Sequence, residues 1–360
     1  MASGTGGQIG FAKVTSIGNN INSVNLWTNF VSESMEHTLE ELEEGSITGR
    51  RDAPPSHKGI DFGGGDIVME PNPNAMGVLL HAAIGADVSS MITNAGSTGA
   101  NSGSEAGKPQ FYHNFIPRQA AHSPTAFLEP IAAMVYRDVG SAFQFNGSIV
   151  TGLELNFQAG ALLAMTATLM SKNVTRIERI AAINSLVSSG GKPWVWDMTS
   201  IEVSTDTTSA NLAANANFEQ LTLSIEVPHE GVVLLDGTKK YAEFQPNDFR
   251  RMNISGTLSF ASHAEYDAFI AYESRRMRIT TMNVNSGMSI GNIASLDTSI
   301  FLGYYGLRVH IPSMKFLSFS APMGGPNRIV STFTAKAEYD STIGEMFRIQ
   351  LNNVTSGYEN

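Results

Sequence analysis

Residues 153–158, LELNFQ, put Leu153, Leu155 and Phe157 on one side of an extended chain and Glu154, Asn156 and Gln158 on the other. Period two with a single apolar side predicts a half-buried antiparallel strand. Ala159-Gly160 then make a turn, and ALLAMTATLM (161–170) returns as the partner strand. LTLSIEV (221–227) repeats the pattern with Leu221, Leu223, Ile225 and Val227, and RIVSTFTAKAEY with Ile329, Ser331, Phe333 and Ala335.

Two segments have helical spacing instead. In NPNAMGVLLHAAIG (72–85), Asn72 suits a cap, Pro73 the first helical position and Gly85 the stop, with Met76, Leu79, Leu80 and Ala83 as the apolar stripe. In SHAEYDAFIAYESRR (262–276), Ser262 and Glu265 form a capping box, Tyr266, Phe269 and Ile270 the stripe, and Arg275-Arg276 suit the C-terminal dipole.

These elements recur in one order. Strand DIVME, a helix and the hairpin 149–171 are followed by strand TLSF, a helix and the hairpin 307–339. A duplicated unit of β-sheet plus one helix explains this economically. The expected organisation is a polar N-terminal arm (1–30) that is loose in the single chain, a first domain over 31–190 and a second over 191–360. A Gly/Ser-rich loop (94–107) interrupts the first domain, and SSGG at 188–191 marks the junction.

Composition narrows the chemistry. At 42% hydrophobic and 16% charged residues the chain is a folded globular protein, and its 34 glycines favour strands and turns. With no cysteine, disulfides, thiolate metal sites and thiol nucleophiles are excluded. MASGTGGQIGFAKV lacks the basic and apolar regions of a secretion signal, so a cytoplasmic site of synthesis is expected. The net charge is −10, and apart from RRMR (275–278) basic residues are scattered. Specific nucleic-acid binding needs concentrated Lys and Arg to displace phosphate counterions, so it is not expected.

Catalytic motifs are sparse. GMSIG (287–291) fits the G-x-S-x-G elbow around Ser289, but GNIASLDTS after it lacks the helical stripe the elbow requires. A hydrolase using Ser289 is therefore a distant alternative. GGGD (63–66) has no Gly-Lys-Ser/Thr continuation and reads as glycines at a bulge or bend in a strand. The eight histidines show no metal-ligand spacing, and no cofactor or metal is expected. Trp194 and Trp196 in PWVW alternate as in a strand and read as core packing.

One acidic stretch stands apart. In LEELEEGSITGRR (39–51), Glu40, Glu41, Glu43 and Glu44 precede Arg50-Arg51, and Leu39 and Leu42 allow one or two amphipathic turns. Adjacent exposed glutamates cannot face each other across a cleft as glycosidic carboxylates do. A solvated face or a surface meeting a basic partner remains.

Taken in succession, ESMEHTLEELEEGSITGRR, KGIDFGGGDIVMEPNPNAMGVLLHAAIG, FNGSIVTGLELNFQAGALLAMTATLM, PNDFRRMNISGTLSFASHAEYDAFIAYE and RIVSTFTAKAEYDS resemble the tail tube (major tail) proteins of long-tailed bacteriophages, in the variant with two tube domains per chain. The resemblance covers roughly 31–355 and leaves 1–30 and 94–107 outside. It implies a mainly β (α+β) fold of two tandem β-sandwich or split-barrel domains, each flanked by a helix, whose sheets join those of other copies into a β-barrel ring. It implies no enzymatic activity, a place in the virion tail, and rings of three chains stacked into a hollow tube for DNA delivery. The implied partners are further copies of the chain, tail tip and tail terminator proteins, and a tape measure protein and genomic DNA in the lumen without specific binding. An inner tube subunit of a contractile tail or injection system is the nearest alternative. Residues 39–58 then occupy a loop that leaves its own subunit, so Glu40, Glu41, Glu43, Glu44, Arg50, Arg51 and Lys58 are the expected subunit-interface residues.

Overall fold

The computed structural model describes residues 6–14, 26–46, 49, 51–85, 87–91, 111–117, 129–177, 193–204, 212–215, 217–259, 263–283, 305–323 and 328–358. Ser289, Arg50, the 94–107 loop and the 188–191 break lie outside these residues. The fold is mainly β. The first half contains β1 (Gln8–Lys13), β2 (Leu26–Thr28), β3 (Ser32–Glu33), β4 (Glu36–Glu43) and β5 (Ser56–Met69), then α1 (Met76–Ile84). β6 (Asp87–Met91), β7 (Phe111–Phe115), β8 (Ile131–Tyr136), β9 (Ala142–Gln158) and β10 (Ala164–Ile177) complete it. The second half contains β11 (Thr199–Ser204), β12 (Leu212–Ala214), β13 (Phe218–Glu226), β14 (His229–Val232), β15 (Glu243–Pro246) and β16 (Arg251–Ser259). After α2 (Ala264–Ile270) come β17 (Arg275–Asn283), β18 (Tyr305–Ser320), β19 (Val330–Ala337) and β20 (Arg348–Asn353).

The alternating segments fold as their periodicity dictates. Leu153, Leu155 and Phe157 on β9, Leu221, Leu223 and Ile225 on β13, and Phe333 and Ala335 on β19 are all buried. β9 and β10 form the expected hairpin, and β18 and β19 the second.

One order of pairing occurs twice. In the first half β2–β1–β8–β9–β10–β5 are successive neighbours, and β5 continues to β3 and β4. In the second half β12–β11–β17–β18–β19–β16 are successive neighbours, and β16 continues to β13. A ladder between β9 and β13 joins the halves, with Leu155 opposite Leu223. The result is one continuous run, β4–β5–β10–β9–β13–β16–β19–β18.

A second junction crosses the halves. C-terminal β20 lies between β18 and β7 of the first half. Beyond it, Asn353 Nδ2 donates to the Pro73 carbonyl (2.9 Å) and to Tyr358 Oη (2.7 Å). Asn74 Nδ2 reaches Tyr305 Oη at 3.2 Å, and the Asn74 carboxamide oxygen accepts the Val354 N–H. This buried network fastens the chain's last residues to the approach of α1.

Several expectations fail, each for a physical reason. Gln8–Lys13 is not a loose arm: its strand pairs with β8 and buries Ile9 and Phe11. α1 starts at Met76, because Asn72 and Pro73 belong to a preceding turn in which Asn72 Oδ1 accepts the Asn74 N–H. All of α1 is buried, so it is a core helix and not an amphipathic one, and it ends at Gly85 as expected, in the left-handed conformation at φ 90°. α2 is shorter than its sequence pattern. Arg275-Arg276 start β17, whose pairing with both β11 and β18 outweighs helix propensity, and Tyr272 at φ 51° turns the chain out of the helix. The expected α2 stripe is largely open, with Tyr266 and Ile270 exposed, and Ser262 lies outside the described residues. Trp194 is core as expected, but Trp196 is exposed on a short 3-10 turn, Trp196–Met198.

Candidate subunit interface

The LEELEE stretch is a strand, not an amphipathic turn. β4 pairs with β5, with Glu41 opposite Lys58 and Leu42 opposite His57. Pairing with a distant segment decides this, since a three-residue leucine spacing only hints at a helix. β4 has no buried side: seven of its eight residues are exposed, Leu39 and Leu42 among them. An isolated two-stranded ribbon of this kind is marginal in water, so its roots in the sheet matter.

Those roots are built by glycines. At Gly65, φ is 145° and the Ser34–Met35 backbone comes so close that no Cβ would fit. Gly64 meets the Leu169 carbonyl in the same way. The register of β5 against β10 is unbroken through Gly63, Gly64 and Gly65, so these glycines serve close approach and make no bulge.

The expected interface residues have mixed partners. Lys58 Nζ donates to Asp61 Oδ2 at 2.7 Å, and His37 Nε2 lies 2.5 Å from Asp61 Oδ1. Burial opposes ionisation of Asp61, but the Lys58 and His37 hydrogen bonds hold its carboxyl below the usual range. Glu40 accepts the Ile60 N–H, and Glu44 lies 3.2 Å from His57. Arg51 is exposed. Sequence reading missed Lys239, whose ammonium donates to the Lys58 carbonyl at 2.6 Å while its own carbonyl accepts the Asp61 N–H at 2.7 Å. The loop between β14 and β15 thus leans on the first half's hairpin. Only the adjacent Lys239-Lys240 pair could have drawn attention to it.

The side of the eight-strand run opposite the core is polar. It carries Asp66, Glu154, Glu226, Thr168, Ser224, Asn253, Ser255, Thr332, Thr334 and Lys336, all exposed or half-buried. Hydroxyls, amides and carboxylates share it with Arg251, opposite Glu226, and Lys315, opposite Lys336, and these three cations pair with Asp248 and Glu338. Among the described residues no cluster of His, Asp and Glu could hold a metal ion, and no helix is long and apolar enough to cross a membrane.

A family model described as phage tail tube protein matches residues 4–337, which includes the first strands that the sequence resemblance left out. No curated protein matches the chain. Because the family match spans nearly the whole chain, the protein belongs to the phage tail tube protein family.

Proposed function

We propose that copies of this chain associate side by side into three-chain rings, and that the rings stack into a hollow tail tube through which DNA is delivered. Each chain supplies two tube domains, 31–190 together with the N-terminal strands β1 and β2, and 191–360, each a β-sandwich or split barrel with one flanking helix, and their sheets join into a barrel. The observation that carries this reading is the run β4–β5–β10–β9–β13–β16–β19–β18, apolar on one side, polar on the other, and open at both end strands among the described residues. Open edges on a long sheet invite pairing with another chain, and closure into a ring removes them.

The width of the run supports three copies. With strands about 4.8 Å apart, three eight-strand runs make a barrel roughly 37 Å across between backbones, before strand tilt widens it. Two copies would give roughly 24 Å, which inward side chains would fill too far for a duplex. The polar side, with Asp66, Glu154 and Glu226 on it, then lines the lumen. A hydroxyl-rich wall whose Arg251, Lys315 and Lys336 are already ion-paired with Asp248 and Glu338 offers phosphates few counterion-releasing contacts, so DNA slides.

The acidic hairpin belongs to the same reading. Glu40, Glu41, Glu43, Glu44, Arg50, Arg51 and Lys58 meet opposite charges on a neighbouring subunit or ring. Exposed pairs contribute about 0–1 kcal/mol each, so they set register more than strength. Electron microscopy of the concentrated protein tests the proposal. Hollow stacked rings are the expected result, and particles that remain single chains under all conditions, including with tail tip complexes as initiators, would contradict it.

A further inference from the structure

The two halves agree in finer detail than their order of strands. In the β9–β10 ladder the extra residue at the register shift is Thr151, and in the β18–β19 ladder it is Leu317. In the β8–β9 ladder Asn146-Gly147 bulge opposite Ala132, and in the β17–β18 ladder Pro312-Ser313 bulge opposite Arg276. Aligning Thr151 with Leu317 aligns the second pair of bulges as well. The same superposition, carried through β5 and β16, sets Glu36 on Ser224 and Thr38 on Glu226. It also sets Gly49 (φ 71°) on Gly237 (φ 79°), and hence Arg51 on Lys239.

The halves differ where one has a neighbour and the other has none. The second part of β9 pairs with β13, with Glu154 opposite Ser224 and Gly152 opposite Glu226. The counterpart edge of β18, Ser318–Ser320, has no strand beside it among the described residues, nor has the outer edge of β3 and β4. Burial follows pairing: Phe157 in the internal junction is 6% exposed, while its counterpart Met323 is 75% exposed. At the other edge, Arg137 binds the Glu33 carboxylate at 2.7 Å and donates to the Met35 carbonyl, so Glu36–Thr38 is the stretch left open.

We infer that the contact between copies repeats the internal β9–β13 ladder: the β18 edge of one copy pairs antiparallel with Glu36–Thr38 of the next, with Glu36 opposite Ser320 and Thr38 opposite Ser318. This rests on the ring reading above and gives it an address and a register. The same transfer carries Arg51 of the second copy onto the β14–β15 hairpin of the first, as Lys239 sits on β5 within one chain. The acidic hairpin is then part of the repeat, because its β4–β5 tip corresponds to β14–β15.

The absence of cysteine makes the test clean. The Glu36→Cys/Ser320→Cys variant is assembled, oxidised mildly and run on a non-reducing gel beside Glu154→Cys/Ser224→Cys, whose disulfide stays inside one chain. The inference predicts chain-to-chain multiples from the first variant and only single chains from the second. It predicts on the order of tenfold less cross-linking for Glu36→Cys/Ser318→Cys, whose diagonal separation exceeds disulfide reach. If the double variant does not assemble, mixed single variants Glu36→Cys and Ser320→Cys must give a dimer that neither gives alone. Rings seen by microscopy without cross-linking, or with equal cross-linking of the shifted pair, would overturn the register and leave the tube reading intact. Wild-type protein that never forms rings would overturn the tube reading itself, and this inference with it.

Discussion

The Tyr358 ring lies directly on Gly77, so close that the helix surface there has no room for a Cβ. This contact closes the clamp by which the C-terminal residues hold α1, together with the 2.7 Å hydrogen bond from Asn353 Nδ2 to Tyr358 Oη. Gly77→Ala must push the ring away and is expected to cost about 1–3 kcal/mol, as overpacked cores do. Tyr358→Phe, which keeps the ring and loses the hydroxyl, is expected to cost about 1 kcal/mol. Urea unfolding of the two variants checks the order. Wild-type stability in both variants would mean that the clamp does not bear on the fold.

Acid is expected to loosen the opposite end of β20. Glu345 is buried, and although burial alone would raise its pKa, the His310 imidazole 3.7 Å away and the hydrogen bonds from Arg348 hold it below the ordinary carboxylate value. Arg348 Nη2 lies 2.8 Å from the carboxylate. A depressed folded-state pKa contributes stability that is complete above the unfolded value and is lost as pH falls through the folded one. Melting temperature is therefore expected to drop on acidification below about pH 4, and the Glu345→Gln variant, less stable at neutral pH, should show a flatter profile there. Parallel profiles would assign the acid sensitivity to other groups.

How much of this was legible in the residues depends on the range of the interaction. The β9–β10 hairpin announces itself, because Leu153, Leu155 and Phe157 alternate and Ala159-Gly160 turn the chain. Gly85 stops α1 by its own backbone conformation, so its role could be read directly. β4 could not, since an acidic strand exposed on both sides has no period to detect and is fixed by β5. The loss of Arg275-Arg276 from α2 and the insertion of β20 beside β7 follow from partners far along the chain. The succession of strand, helix and hairpin in each half was visible as motifs, whereas the shared pairing order and the matching bulges needed the ladders.

Charge reversal of Glu40, Glu41, Glu43 and Glu44 to lysine is expected to leave the fold intact, because β4 buries nothing. It should impair assembly into tubes. Sedimentation of the variant against wild type, with circular dichroism to confirm the fold, measures both effects. Normal assembly would make the cluster a solvated face with no partner.

The wall of the proposed lumen makes a further prediction. Glu154 and Glu226 stand on its polar side, Glu226 accepting from Asn253 Nδ2 at 3.0 Å. Replacing both by lysine should create a phosphate-binding wall. The variant's tubes are expected to retain duplex DNA at low salt and release it as salt rises, while wild-type tubes retain none at either. Retention by wild type would contradict a non-adhesive conduit.

The number of chains in a ring tests the account most directly. End-on cryo-electron microscopy averages are expected to show three chains per ring, each giving two similar lobes, so that six lobes alternate in two slightly different shapes. Six chains per ring, or six identical lobes from six copies, would contradict the reading of each chain as a pair of tube domains.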